Sequence, residues 1–95
     1  MWFEFGIVVT GTGTYSVATG SAAIFMGGGL DSSSTTVAEG GDTFVADPAA
    51  TVSVVMDSDV TMRLVGGHFC LTAISSTVWN IEGTMMGVGA LATPF

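Results

Sequence analysis

His68-Phe69-Cys70-Leu71-Thr72-Ala73-Ile74 is the stretch that decides the fold. Phe69, Leu71 and Ala73 alternate with His68, Cys70, Thr72 and Ile74, the period of a strand with one face turned to a core. Glycines Gly66-Gly67 precede it and Ser75-Ser76 follow, so the run is bounded by turn residues.

Working outward, the same grammar recurs. Thr77 to Gly83 reads as a strand with Trp79 and Ile81 on one face. Val60 to Val65 reads as another, with Val60, Met62 and Leu64 opposite Thr61, Arg63 and Val65. Thr51 to Met56 places Val52, Val54 and Met56 inward, and Asp57-Ser58-Asp59 turns the chain. Thr35 to Ala38 and Thr43 to Ala46 read as a short pair around a Glu39-Gly40-Gly41-Asp42 hairpin. Trp2 to Thr10 alternates Phe3, Phe5, Ile7 and Val9 against Trp2, Glu4, Gly6 and Val8. After a Gly11-Thr12-Gly13 turn, Thr14 to Thr19 and Ala22 to Met26 are two further runs. Gly27-Gly28-Gly29, followed by Leu30 and Asp31 to Ser34, reads as a loop or bulge, because glycine weakens a strand interior.

The expected fold is therefore all-β, an antiparallel β-sandwich or barrel of about eight short strands at roughly ten-residue spacing. Tight turns between successive strands require antiparallel neighbours. Residues 1–83 form the expected sandwich domain, and residues 84–95 an apolar C-terminal strand or arm.

With 95 residues the chain is sized for one domain. Charged residues are 9% and hydrophobic residues 48%, against about a quarter charged in ordinary soluble domains. An uncharged surface of this kind suits burial in an assembly. The net charge of −7, with Arg63 the sole Lys or Arg, opposes binding to nucleic-acid phosphates and anionic membranes. No apolar window reaches the length of about 18 residues that a spanning helix needs, and no signal peptide is evident. Cys70 is the lone cysteine. It excludes an intrachain disulfide, is expected to be a buried, inert thiol, and fits synthesis in a reducing compartment.

The residues offer little chemistry. His68 is the sole histidine, and no Gly-x-Ser-x-Gly surrounds a serine, so a hydrolase triad lacks its parts. Cys70 and His68 alone do not make a zinc site. Asp57-Ser58-Asp59 and Asp31 to Ser34 offer oxygen ligands but not the pattern of a calcium-binding loop, and read as turn caps. The glycine runs lack the Lys-Ser/Thr and helix of a phosphate loop. The expectation is no enzyme, no cofactor and no metal. Trp2, Phe3, Phe5, Trp79, Met85, Met86 and Phe95 stand out as candidate interface residues, since aromatics and methionine are enriched at such contacts; core packing between the terminal strands is the other reading of the aromatic and methionine cluster.

Gly13-Thr14-Tyr15-Ser16-Val17, Ala22 to Gly28, Leu30 to Val37, Thr43-Phe44-Val45 and Val60 to Val65 together resemble small β-sandwich structural proteins encoded near the capsid genes of tailed phages. The resemblance spans residues 13 to 83 and is a pattern of apolar and small residues. It implies a capsid decoration (cement) protein that binds between major capsid subunits and forms a homo-oligomer, a trimer by preference. The location implied is the capsid surface of the virion, after synthesis in the host cytoplasm. A head or tail fibre module that binds host-surface glycans is the alternative. The aromatic start, Trp2 to Phe5, and the apolar tail depart from that pattern.

Overall fold

The computed structural model describes residues 1–8, 10 and 12–95. Val9 of the first expected strand and Gly11 of the first expected turn lie outside the described residues. Seven strands are present among those described: β1 (Trp2–Gly6), β2 (Tyr15–Ala18), β3 (Phe25–Ser34), β4 (Gly41–Val45), β5 (Ser53–Met56), β6 (His68–Ala73) and β7 (Val78–Gly87). They form a five-stranded sheet in the order β1-β6-β7-β3-β4 and a two-stranded sheet of β2 and β5. The protein is all-β, and no helix among the described residues is long and apolar enough to cross a membrane.

The deciding stretch behaves as read. Phe69 and Leu71 are buried while His68 faces out, and Ile81 beside them is fully buried. Val54 and Met56 are buried on β5, and Tyr15 and Val17 pack against the same core from β2. Met26, Met56, Met62 and Met85 are four of the ten buried apolar residues of that core. A flexible thioether fills irregular gaps, which suits a five-stranded sheet facing a two-stranded one.

The central pairing differs from expectation. β3 and β7 run parallel over their full length, from Phe25↔Val78 to Ser34↔Gly87. Tight turns constrain only consecutive strands, and β4, β5 and β6 intervene between these two. The consecutive pairs β3–β4 and β6–β7 are antiparallel, as the turns require.

The triple glycine is not a loop. Gly27, Gly28 and Gly29 sit inside β3, which runs on through Asp31 to Ser34. Gly28 has φ +87°, and a methyl group there would strike the Ile81 carbonyl of β7. One on Gly29 would lie 2.8 Å from the Phe44 carbonyl of β4. Glycine is used here for close backbone approach rather than for a turn.

Two expected strands are turns. Thr35 to Ala38 leads into a 3₁₀ turn at Val37–Glu39, and the hairpin closes with the Ser34 amide donating to the Gly40 carbonyl at 2.8 Å. This moves Gly41 and Asp42 into β4. In Val60 to Val65, a 3₁₀ turn spans Asp59–Thr61 and Met62 takes a left-handed φ of 64°. The buried Thr61 hydroxyl accepts from the Asp57 and Ser58 amides, both at 2.9 Å, and donates to the Asp57 carboxylate at 2.9 Å. Such side-chain bonds offer the backbone an alternative to a ladder.

The boundary drawn at residue 83 falls inside β7. Beyond Gly87 the chain folds back on its own domain: the Ala92 amide donates to the Val60 carbonyl at 2.9 Å and the Val55 amide to the Pro94 carbonyl at 2.8 Å. Pro94 is buried and Phe95 packs against the core.

Candidate functional site: an open flank between two edge strands

β1 and β2 are edge strands of different sheets, and residues of both line the same cavities. Between them lies a cavity of about 430 Å³ lined by Phe3, Phe5, Val17, Met26, Leu71 and Trp79. A second, of about 490 Å³, shares Phe5 and Val17 and extends past Ile7, Tyr15 and Met56. The two make one apolar flank along β1.

Its walls are fixed by ring packing. Phe3 stacks on Trp79 at 5.9 Å between centroids, with 27° between planes, and Phe5 on Phe69 at 5.2 Å and 26°. Both are offset arrangements that favour aromatic pairs. Phe69 and Leu71 rise from β6, Trp79 from β7, so the floor belongs to the large sheet. Phe3 remains 49% exposed despite its stacking partner.

The backbone of β1 matters as much. Ala73 donates to the Met1 carbonyl at 3.0 Å, and Ile7 donates to the Gly67 carbonyl at 2.8 Å. With the register Trp2↔Thr72 to Gly6↔His68, residues 1, 3, 5 and 7 turn their backbone groups to β6. The alternation of an antiparallel ladder then aims the N–H and C=O of Trp2, Glu4 and Gly6 away from it. On β2, the Thr19 amide donates to Val52 at 2.9 Å. By the same alternation Ser16 and Ala18 aim their backbone groups away from β5.

The seven candidate interface residues are thus divided. Phe3, Phe5 and Trp79 converge on the flank. Trp2, 63% exposed, sits at the same edge but on the outer face of the large sheet. Met85 is a correction: it has no exposed surface and is core, because its partner in the parallel ladder is the inward Ser32. Met86 alternates to the opposite face of β7, and Phe95 lies near β5, so neither joins the flank. Val17 and Leu71 also line the flank, and only their alternation marks them in the sequence.

The outer face of the large sheet carries a shallow trough of about 800 Å³ over Gly29, bordered by Asp31, Thr43, His68 and Glu82 on one hand and by Val45 and Pro48 on the other. Cys70 is half-buried rather than sealed in the core. It is flanked in register by Glu4 and Glu82. Partial burial first, then these two carboxylates, push its thiol above the usual pKa. The candidate calcium loops are engaged internally: Asp31 accepts from the Thr43 hydroxyl at 2.9 Å, Asp57 from Thr61, and Asp59 from Arg63 at 3.0 Å. Among the described residues no group of three or more His, Cys, Asp or Glu stands close enough together to hold a metal ion.

Comparison with known protein families, curated proteins and solved structures found no match to this chain.

Proposed function

We propose that this chain is a structural binding module that works by docking its β1–β2 flank on another protein. The observation that supports this reading is the coincidence of exposed aromatic surface at Trp2 and Phe3 with an edge whose backbone groups at Trp2, Glu4 and Gly6 face outward. Large exposed apolar surface and an uncovered strand edge are features that proteins keep where a partner covers them. The low charge of the chain agrees with a role inside an assembly.

In its particular form, the proposal is a decoration subunit of a tailed-phage capsid. It binds between major capsid subunits, is made in the host cytoplasm, and resides on the virion surface, with a trimer suited to threefold junctions. Binding that occurs only on the assembled shell stabilises that shell by mass action, and calls for no reaction chemistry. The test is co-sedimentation of the purified protein with expanded capsids, with the capsid melting temperature as readout. The expected result is saturable binding, a raised melting temperature, and loss of both in Phe3→Asp. A folded protein that leaves capsids unchanged contradicts the particular form.

One observation favours the alternative of a fibre module. Trp2 stands exposed on the same face as the trough, the arrangement by which an indole stacks on a sugar ring. Glycan-array binding abolished by Trp2→Ala would decide for it.

A further inference from the structure

Resting on the binding-module reading, we infer that the flank takes an extended β-strand from a different protein chain, in which apolar residues alternate and basic residues stand at the ends.

The backbone specifies an extended occupant. Trp2, Glu4 and Gly6 present donors and acceptors at every second residue, a repeat of about 6.8 Å along a strand. A strand laid along β1 meets each of them at ordinary inter-strand spacing. Ser16 and Ala18 present a second row from β2 across the gap. A helix or a flat side-chain surface would leave both rows unpaired.

The side chains specify the alternation. Phe3 and Phe5 point into the flank while Trp2 and Glu4 point to the outer face. A strand paired with β1 inherits the same pleat, so every second residue enters the apolar space beside Phe3 and Phe5, facing Val17. The intervening ones join the polar outer face, where Glu4, Glu82 and Asp31 lie.

Charge selects the partner and argues against a second copy. The chain carries −7, and its single cation is engaged: Arg63 donates to the Asp59 carboxylate at 3.0 Å and to the Gly13 carbonyl at 3.0 Å. A twofold pairing of β1 with β1 of another copy, centred on the strand, sets Glu4 opposite Glu4, which destabilises a cross-strand pair. Basic ends on the incoming strand instead complement the acidic chain.

The test uses synthetic peptides in which Val, Ile or Phe alternates with Thr between Lys-Lys ends. Tryptophan fluorescence reads binding, and amide exchange by NMR reads pairing. The expected result is saturable binding with slowed exchange at the Trp2, Glu4 and Gly6 amides. Binding should fall at least about tenfold when alternate peptide nitrogens are methylated, since each of the several main-chain bonds lost lowers affinity about fivefold. Glu4→Pro should weaken binding similarly, because the donor it removes faces away from β6. If that variant fails to fold, the methylated peptide on the unaltered chain still decides. Absence of binding, indifference to methylation, or unchanged exchange at those amides would overturn the inference. Peptide binding without capsid binding leaves this inference standing and removes the decoration role. Capsid binding without peptide binding does the reverse.

Discussion

The Val55 amide donates to the Pro94 carbonyl at 2.8 Å, so the C-terminal segment closes the edge of the small sheet at β5. The opposite edge, at β2, faces the flank. One side of the sandwich is closed by the chain itself, and the other is open along β1 and β2.

Removing residues 92–95 should therefore destabilise the fold. It uncovers the β5 edge, deletes the buried Pro94 and exposes the side of the core that Phe95 covers. The expected loss is about 2–4 kcal/mol from apolar burial and hydrogen bonds, read as a lower urea midpoint. An unchanged midpoint would mean that the tail contributes nothing to the domain.

Ser32 is 4% exposed, faces inward opposite Met85, and its hydroxyl has no hydrogen-bond partner among the described residues. Ser32→Ala removes a buried unsatisfied group and should be neutral or stabilising by about 1 kcal/mol. Met85→Ala in the same place should cost about 2–5 kcal/mol by opening a cavity. Thermal melts of the two variants should shift in opposite directions or differ widely. Equal losses would contradict the assigned packing.

Gly28→Ala should be among the most harmful of single methyl additions. Its φ of +87° disfavours an L side chain, and the methyl meets the Ile81 carbonyl across the parallel ladder. A cost of about 2–3 kcal/mol is expected. Gly13→Ala, where the added methyl meets nothing within 4 Å among the described residues, should leave the melt within about 0.5 kcal/mol of the original.

Cys70 should react slowly with thiol reagents despite being half-exposed. The thiolate is the reactive species, and a pKa raised by partial burial, Glu4 and Glu82 leaves less of it at any given pH. The rate should rise with pH through a midpoint above that of an ordinary thiol. Glu4→Gln and Glu82→Gln should each move that midpoint down. A midpoint at or below the ordinary value would contradict the placement of the two carboxylates.

Much of this architecture is written in side-chain alternation. β1, β5 and β6 follow from it, and so does the convergence of Phe3, Phe5 and Trp79, because each lies on the inward phase of a strand. β3 does not, since three glycines carry no alternation and their purpose depends on β4 and β7, which are distant in sequence. Val60 to Val65 misleads for the opposite reason: the alternation is present, but the Thr61 hydroxyl captures the Asp57 and Ser58 amides and bends the chain. Met85 reads as surface only while β7 is ended at Gly83. The flank itself arises from two sheets of unequal size, which no local pattern records.

Hydrogen exchange along β1, in the free chain and in the proposed complex, tests the open flank most directly. Fast exchange is expected at Trp2, Glu4 and Gly6 beside slow exchange at Phe3 and Phe5 when the chain is free, with all five slow once the flank is covered. Protection at Glu4 in the free chain, or fast exchange there that persists in the proposed complex, would contradict an open flank that a partner covers.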